Sequence, residues 1–171
     1  MARHPDDGMF SIKLVKPGHL GGDFHTPPRD HKTDVRQRVM NFRDRPRPLA
    51  LAESIRPGHR ALVYVTHPVM KFIWAIEYTG TLEDGNQAAA AFPVDINAHP
   101  EWRAILLPIR FLATIDVNAA LDAQVIAQQA GVDFTPHQVS MMHISEAAFQ
   151  NLFDAINWNW RWVAHPEPVT V

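Results

Sequence analysis

Ten histidines are the first side chains in this sequence that could do chemistry, because imidazole transfers protons near neutral pH and binds metal ions. No two of them lie four residues apart, the spacing that would present a pair of metal ligands on one helix face. His143 stands near Ser145, but no acidic residue completes the pair at a recognisable spacing. The motifs of nucleophilic serines, phosphate-binding loops and dinucleotide sites are also missing. The sequence therefore predicts no enzyme activity, no metal site and no cofactor.

Arginines are the second group, and they are concentrated in the first half of the chain. Residues 1–71 carry 13 Lys and Arg against 7 Asp and Glu, whereas residues 72–171 carry 3 against 11. Between positions 29 and 60 the basic residues are Arg29, Lys32, Arg36, Arg38, Arg43, Arg45, Arg47, Arg56 and Arg60. This asymmetry favours one face that binds a polyanion. The alternative is a solvated loop whose arginines pair with nearby acids.

The composition is that of an ordinary globular protein, with 46% hydrophobic and 20% charged residues in a chain of 171. This length suits one domain, which we expect over residues 10–162, between tails at 1–9 and 163–171. There is no cysteine, so neither a disulfide nor a thiolate metal site can form. No apolar run approaches the roughly 20 residues of a membrane-spanning helix, and residues 1–7 lack the apolar stretch of a secretory signal. We therefore expect a soluble cytoplasmic protein with no membrane partner.

Hydrophobic periodicity predicts several short strands. The first begins where Phe10, Ile12 and Leu14 alternate with Ser11 and Lys13, the pattern of a half-buried strand. Runs of β-branched and aromatic residues, bounded by turn-forming residues, predict the others. The predicted strands cover residues 10–14, 61–65, 72–78, 92–96, 105–111 and 139–141.

Three or four short helices are predicted between these strands. Their expected N-caps are Thr33 or Asp34, Asn118 and Ser145, and Gly131 suits a helix C-terminus. The residues expected to form their apolar faces are Val35, Val39 and Phe42, then residues within 49–55, then Leu121 and Val125, and finally Phe149, Leu152, Phe153 and Ile156. Short strands and helices without a strand–helix–strand period predict an α+β fold, a small mixed β-barrel of five or six strands flanked by short helices.

Three segments, in the same order and at similar spacing, resemble the EVE family of the PUA-like superfamily. Residues 39–45, VMNFRDR, are similar to the family segment V-R-N-Y-Q-A-R. Residues 56–80 resemble its K-G-D-x-V-L-F-Y hairpin and the G-I-G-E-V strand that follows, and residues 139–149 resemble its closing strand and helix. His59 stands where the family usually has Asp, and Trp74 stands where a small residue is common. The resemblance extends over nearly the whole chain.

The resemblance implies a PUA-like barrel whose concave face binds one nucleobase, as in readers of N-methylated adenine and 5-modified cytosine. Unstacking a base costs on the order of a few kcal/mol, and stacking it on an aromatic ring returns roughly 1–3 kcal/mol. The residues that the resemblance assigns to the base pocket are Asn41, Phe42, Tyr64, Thr66 and Trp74. Those assigned to the flanking phosphates are Arg38, Arg43 and Arg45. We therefore expect a nucleic-acid-binding module that recognises a modified base.

Each assigned residue also has an ordinary structural explanation. Asn41 could cap the C-terminus of a helix instead of pairing with a base edge. Arg45 could pair with Asp44 on an exposed loop instead of gripping a phosphate bidentately. The alternative for the aromatic residues is that they fill the core, and it applies to Phe42, Tyr64 and Trp74.

Trp158, Trp160 and Trp162 alternate along one extended segment near the C-terminus. They could present a stacking platform, but we favour a terminal segment pinned to the barrel. Two other functions stay open, a small hydrolase using His and Asp residues of the loop over 18–34, and a protein-interaction module using the tryptophan-rich segment. Histidines clustered with carboxylates in the folded protein would favour the first, and an exposed indole patch would favour the second.

Overall fold

Seven short strands and three helices lie in the residues that the computed structural model describes, which are 8–16, 39–41, 46–81, 106–136 and 140–162. The strands are β1 (Phe10–Val15), β2 (Val39–Asn41), β3 (Arg60–Val65), β4 (Lys71–Tyr78), β5 (Leu106–Thr114), β6 (Met141–His143) and β7 (Trp160–Arg161). The helices are α1 (Pro46–Ser54), α2 (Ala123–Ala130) and α3 (Glu146–Ala155). The predicted strands at β1, β3, β4 and β5 are confirmed, β6 begins at Met141 where the strand predicted over 139–141 was expected to end, and the strand predicted at 92–96 lies outside the described residues.

The strands join in the order β2-β5-β4-β3-β1-β6, and β7 pairs with β5 beside this path. β1 and β3 are parallel, whereas the other pairings among these strands are antiparallel. β2 and β6 end the order and do not pair with each other within the described ranges, so this sheet is open. The predicted α+β class is confirmed. The predicted closure into a barrel is not seen in these strands, because a barrel requires its first and last strands to pair.

Residues 39–41 form a strand where the sequence predicted a helix. Val39 lies opposite Pro108, and Asn41 lies opposite Leu106, in antiparallel register with β5. The spacing of apolar residues around Val39 suggested one face of a helix, but a β-branched residue suits a strand equally well. Pairing with β5 decides between the two. The rest of the predicted helix lies outside the described residues.

Buried side chains cover both faces of the sheet, because successive residues of a strand point to opposite sides and both sets are apolar here. We call the face covered by α2 and α3 the α2–α3 face, and the face on which α1 packs the α1 face. On the α2–α3 face the sheet contributes Phe10, Ile12, Leu14, Leu62, Tyr64, Phe72 and Leu112. On the α1 face it contributes Ala61, Val63, Val65, Trp74, Ile76, Tyr78, Leu107 and Phe111.

Helix α1 begins with Pro46 and Pro48, two prolines that were expected to end a preceding helix. A proline is tolerated in the first turn because the first N–H groups of a helix have no intrahelical partner. The predicted helix over 49–55 is therefore confirmed with an earlier start. Ala52 of α1 and the following Ile55 are buried against the α1 face.

Helix α2 begins and ends at residues whose backbone or side chain suits a cap. Its N-cap is Asp122, so the predicted cap at Asn118 is wrong. Gly131 ends the helix in the left-handed conformation, with φ of 66°, as predicted. Leu121 and Val125 were expected on the apolar face, but they are 51% and 41% exposed. Leu121 precedes the N-cap and lies outside α2, and the buried side of α2 comprises Ala123, Ile126 and Ala127 instead of Val125.

Helix α3 is the element that the sequence predicted best. Ser145 accepts a hydrogen bond from the Ala148 N–H over 3.0 Å, the N-cap contact expected of it. The predicted apolar face is buried, and it comprises Phe149, Leu152, Phe153 and Ile156. None of the helices in the described ranges is long and apolar enough to cross a membrane.

The tryptophan-rich segment is pinned to the rest of the fold, as predicted. Trp158 is buried, and its indole N–H donates to the Phe153 carbonyl over 2.9 Å. Trp160 belongs to β7, which pairs with β5. The ring of Trp162 lies 6.5 Å from the ring of Phe111, between centroids. These contacts hold the segment against the sheet, which removes the basis for a platform of three exposed indoles.

Candidate functional site

Four side chains from distant parts of the chain meet at one end of the α1 face, and we call them the His59 cluster: Ser11, His59, Tyr78 and His143. The parallel pairing of β1 with β3 brings Ser11 to His59, with 2.8 Å between Ser11 Oγ and His59 Nε2. Pairing of β1 with β6 places His143 opposite Ser11. The Tyr78 N–H donates to the His59 carbonyl over 2.8 Å. The sheet topology thus assembles the cluster from four separate segments.

His59 is fully buried at the centre of this cluster. Its ring meets the Tyr78 ring edge-on at 5.4 Å and lies 6.1 Å from the His143 ring, between centroids. Burial, and then the positive charge that His143 can carry, lower the pKa of His59 to about 3. His59 is therefore uncharged at neutral pH, with one ring nitrogen as a donor and the other as an acceptor. The contact with Ser11 uses Nε2, so Nδ1 is left without a hydrogen-bond partner among the described residues.

Three buried atoms on the α1 face have no hydrogen-bond partner in the described part of the chain, and they are His59 Nδ1, Trp74 Nε1 and Tyr78 Oη. Native interiors pair nearly all such atoms, because an unpaired buried group costs roughly 1–3 kcal/mol. Burial raises the pKa of Tyr78, so its phenol stays neutral as well. The face therefore carries neutral hydrogen-bonding groups that a ligand or an ordered water would complete.

A row of charged side chains lies at the same end of β3 and β4 as the His59 cluster. It comprises Arg60, Glu77 and Arg110, and we call it the arginine–glutamate row. Arg60 Nε donates to Glu77 Oε1 over 3.1 Å, and Arg110 Nε donates to Oε2 over 2.6 Å. The Arg60 and Glu77 side chains are 6% and 14% exposed, whereas that of Arg110 is 51% exposed. Buried Arg60 Nη1 has no hydrogen-bond partner among the described residues. Two guanidinium groups on one carboxylate leave a net positive charge.

Trp74 and Tyr64, two residues predicted for one base pocket, lie on opposite faces of the sheet. Trp74 is on the α1 face, edge-on to Phe111 with 5.3 Å between ring centroids. Tyr64 is on the α2–α3 face, edge-on to Phe134 at 5.1 Å. Burial, and then the negative charge of Asp122, raise the pKa of Tyr64. The structure does not bring the two aromatic rings together.

The other predicted site residues are placed in part. Thr66 is half-buried just after β3, where its N–H donates to the Val15 carbonyl over 2.9 Å. Asn41 belongs to β2, and its backbone lies opposite Leu106 of β5. Four predicted residues lie outside the described ranges, and they are Arg38, Phe42, Arg43 and Arg45. Their roles stay predictions.

A serine in hydrogen-bond contact with a histidine raises the question of catalysis. A nucleophile needs an accessible hydroxyl and a base that accepts a proton near neutral pH. Ser11 and His59 are both fully buried, and the low pKa of His59 makes it a weak base at pH 7. Within the described ranges, no three His, Asp or Glu side chains come together to hold a metal ion. The geometry of these residues suits binding better than a nucleophilic mechanism.

Sequence reasoning missed most of this site, because its contacts join distant residues. Ser11 and His59 are 48 residues apart, and Glu77 and Arg110 are 33 apart. No local spacing reports such contacts, which depend on which strands pair and in which register. One feature of the sequence did point to this site: His59 has a polar ring at the position where the EVE pattern usually has Asp.

Several solved structures are similar in fold to this chain. ASCH from Zymomonas mobilis is similar with a TM-score of 0.50 and 14% identity, over 88% of this chain and 98% of that one. Proteins from Pseudomonas putida and Pseudomonas syringae are similar with TM-scores of 0.51 and 0.50, at 11% and 13% identity, over 85% of this chain and 98% and 97% of theirs. ASCH domains belong to the PUA-like superfamily. The chain has a PUA-like fold.

At these identities the likeness shows the fold alone. No family model and no curated protein matches the sequence. The PUA-like part of the predicted resemblance is confirmed by the fold, whereas membership of the EVE family stays a prediction. In this PUA-like fold, the His59 cluster and the arginine–glutamate row lie at the same end of β3 and β4.

Proposed function

We propose that this PUA-like protein is a nucleic-acid-binding module that receives one nucleobase on the α1 face, between Trp74 and the His59 cluster. The supporting observation is the set of buried, neutral and unpartnered atoms on that face. Trp74 and Tyr78 lie on the same side of β4, separated by roughly 13 Å of strand. A nucleoside, rather than a single ring, spans such a length.

Neutral groups of this kind suit a base better than a phosphate. Proteins bind phosphates mainly through cations and backbone N–H groups, and they read base edges with donor and acceptor pairs. At neutral pH neither His59 nor Tyr78 carries a charge, because burial lowers the pKa of His59 and because a phenol, whose pKa burial raises further in Tyr78, ionises only well above pH 7. The rings of Trp74 and Phe111 add stacking surface, which contributes roughly 1–3 kcal/mol per base. The α1 face thus combines hydrogen-bonding and stacking groups.

Access to the α1 face requires a movement. Trp74 and Tyr78 are both buried in the free protein, and Ala52 of α1 packs on the same face together with Ile55. A base must therefore displace what covers these rings, at a cost in free energy. Pairing the unpartnered atoms offsets part of that cost. We expect α1 to shift relative to the sheet when the base binds.

We further propose that the base is modified, as the EVE resemblance implies. A methyl group on the base adds apolar surface, and burying it against Trp74 and Phe111 contributes about 0.8 kcal/mol. Asn41 lies on β2 opposite Leu106 of β5, three residues before Ile109, which lies opposite Tyr78. The amide of an asparagine offers the donor and acceptor that pair with an adenine edge. N-methylated adenine and 5-modified cytosine are the bases to test first.

The two tyrosines of the chain, one on each face, provide the test. Tyr78→Phe removes an unpartnered buried hydroxyl, so the free protein should keep or gain thermal stability while oligonucleotide affinity falls roughly 2–10-fold. Tyr64→Phe tests the predicted role of Tyr64 on the α2–α3 face. Fluorescence anisotropy with single-stranded DNA and RNA, each with and without the modified bases, measures affinity. A melting curve of each variant measures stability.

The outcomes separate the parts of the proposal. Lost affinity in Tyr64→Phe, with Tyr78→Phe unaffected, would place the base on the α2–α3 face. A Tyr78→Phe variant that melts several degrees lower would show that the hydroxyl already has a partner. Equal affinity of the wild type for modified and unmodified oligonucleotides would remove the modified base alone. Absence of binding to every oligonucleotide would overturn the proposed function.

A further inference from the structure

The arginine–glutamate row contains a buried donor that its own carboxylate does not satisfy. Arg60 is nine-tenths buried or more, and its Nη1 has no partner among the described residues. A buried guanidinium N–H without an acceptor costs more than a neutral one, because charged groups lose more hydration. An oxygen from a bound molecule would satisfy this donor. Arg60 Nη1 is thus an independent sign of a ligand at the row.

The geometry of the ion pairs leaves the same part of each arginine available. Glu77 engages the Nε atom of Arg60 and the Nε atom of Arg110, one with each carboxylate oxygen. A guanidinium presents five N–H donors in a planar fork, and Glu77 engages only Nε of each, which leaves Nη donors, among them the unpartnered Nη1 of Arg60, for an acceptor from outside the described residues. Glu77 neutralises one positive charge of the two. The row therefore offers an anion several donors and a net positive charge.

We propose that Arg60 and Arg110, held in place by Glu77, form a binding site for a phosphate group. Phosphate oxygens match the guanidinium fork and accept several hydrogen bonds at once. The source that we favour is the backbone of a bound nucleic acid, and this part rests on the proposed function. Arg60 follows His59 in the chain and Glu77 precedes Tyr78, so the row lies at the same end of the sheet as the base-binding groups but on its other, α2–α3 face. A nucleic acid that passes round this end of the sheet would meet both.

Arg110 is the residue to change, because it is exposed and its loss leaves the core intact. Arg110→Gln should weaken all oligonucleotides by a similar factor, whether or not they carry a modified base, and lower the slope of log affinity against log salt by about 0.7–1. Arg110→Lys should keep the slope but lose several-fold in affinity, because ammonium cannot replace the planar fork. The matched control is Arg161→Gln, which removes an exposed arginine of β7.

Inorganic phosphate tests the site without nucleic acid. In 15N NMR spectra of the whole chain, the Nε–Hε signals of Arg60 and Arg110 should shift saturably with phosphate. Sodium chloride at the same ionic strength should leave them in place. The Arg110→Gln variant, with its Arg60 signal still resolved, should lose most of the phosphate response. The Arg161→Gln control should keep it.

These measurements distinguish the site from the proposed function. Arg110 and Arg161 variants with equal losses of affinity and slope would indicate diffuse charge and overturn the site. Unchanged arginine signals at high phosphate would also overturn it. A phosphate response in a protein that binds no oligonucleotide would support a site for free phosphate and contradict the nucleic-acid function. Oligonucleotide binding that is unaffected by Arg110→Gln would keep the function and remove the site.

Discussion

Among single residues, His59 departs furthest from the behaviour of its type in water. Its imidazole is held by Ser11 on one side and lies against Tyr78 on another, with no exposure to solvent. A proton on the ring would be buried away from water and would lie near the positive charge that His143 can carry, which is why the pKa of His59 falls to about 3. Neutral imidazole can read a base edge as a donor or as an acceptor. Burial thus makes His59 a poor proton-transfer group at neutral pH and leaves it as a neutral hydrogen-bonding group.

This low pKa predicts how stability depends on pH. The pKa of a histidine is near 6.5 in the unfolded chain and about 3 for His59 in the folded one, so between these values only the unfolded chain binds the proton. The free energy of unfolding should therefore fall as the pH decreases from 6.5 to 3, by up to about 1.4 kcal/mol per pH unit from this group. In His59→Gln this part of the dependence should vanish. Urea unfolding at pH 7, 6, 5 and 4 measures it.

His143→Gln is the matched control, because it removes the second cause of the shift and leaves burial, the first. Most of the pH dependence should remain in that variant. Carboxylates also contribute to acid unfolding. The quantity to compare is therefore the difference in pH dependence between each variant and the wild type. A His59→Gln variant with the same pH dependence as the wild type would contradict a neutral, proton-excluding His59.

The sequence predicted Trp74 and Tyr64 for one pocket, and a single irregularity explains why the structure places them on opposite faces. Simple alternation along β4 puts Phe72 and Trp74 on one face, beside Tyr64 of β3. In the structure the register shifts, so Phe72 lies opposite Tyr64 while Trp74 lies opposite Val63. One extra residue in a strand reverses which side the following residues face. A bulge of this kind leaves no periodic trace in the sequence.

Among the elements, the helices with strong end residues were predicted well and the element decided by pairing was not. Ser145 and Gly131 act locally, since a cap needs only the backbone groups of its own helix turn. β2 instead depends on β5, which lies far along the chain. Asn118 failed as a cap because Asp122, closer to the first apolar turn, accepts the bond from Gln124. Helix caps can therefore be predicted from the sequence, whereas the pairing of distant strands cannot.

Gly131 supports a prediction at this scale. A Cβ built on this residue would meet nothing within 4 Å, so a substitution costs only the strain of a φ of 66°. Gly131→Ala should lower the free energy of unfolding by about 1 kcal/mol, and Gly131→Asn by less, because asparagine tolerates the left-handed conformation. Urea unfolding of the two variants checks the order. Equal loss in both would point to a lost contact instead of backbone strain.

In the whole molecule, one sheet is shared by two apolar cores. β3 and β4 contribute alternate residues to each face, so neither core has strands of its own. The α+β class was predictable because short strands alternate irregularly with short helices. The strand order was not, because the parallel pairing of β1 with β3 requires a long connection that no local pattern specifies. Sharing the sheet should make the two cores unfold together.

Phe149→Ala tests this coupling. Phe149 is fully buried on α3 and packs against Phe10 with 5.3 Å between ring centroids. Its truncation should lower the free energy of unfolding by roughly 3–5 kcal/mol. Tryptophan fluorescence reports on both faces, since Trp74 lies on one and Trp158 on the other. If the two cores unfold together, the transitions followed by fluorescence and by circular dichroism should still coincide. Separate transitions would show that one core can melt alone.

Leu121→Ala is the control for that experiment. Leu121 was expected in the core, but it is half exposed, so its truncation should change the free energy of unfolding by about 0.5 kcal/mol or less. A loss as large as that of Phe149→Ala would mean that Leu121 contributes to packing after all.

The position of β1 in the sheet has a consequence for the newly made chain. β1 lies between β3 and β6, and Ser11 of β1 faces His143 of β6. On the ribosome, β1 leaves the exit tunnel long before β6 is translated. Until then the side of β1 that β6 will occupy presents unpaired N–H and C=O groups, a template for pairing with other chains. Contacts this distant also slow folding. Until residue 143 has emerged, we therefore expect the nascent chain to need either a chaperone or slow translation that keeps neighbouring nascent chains apart.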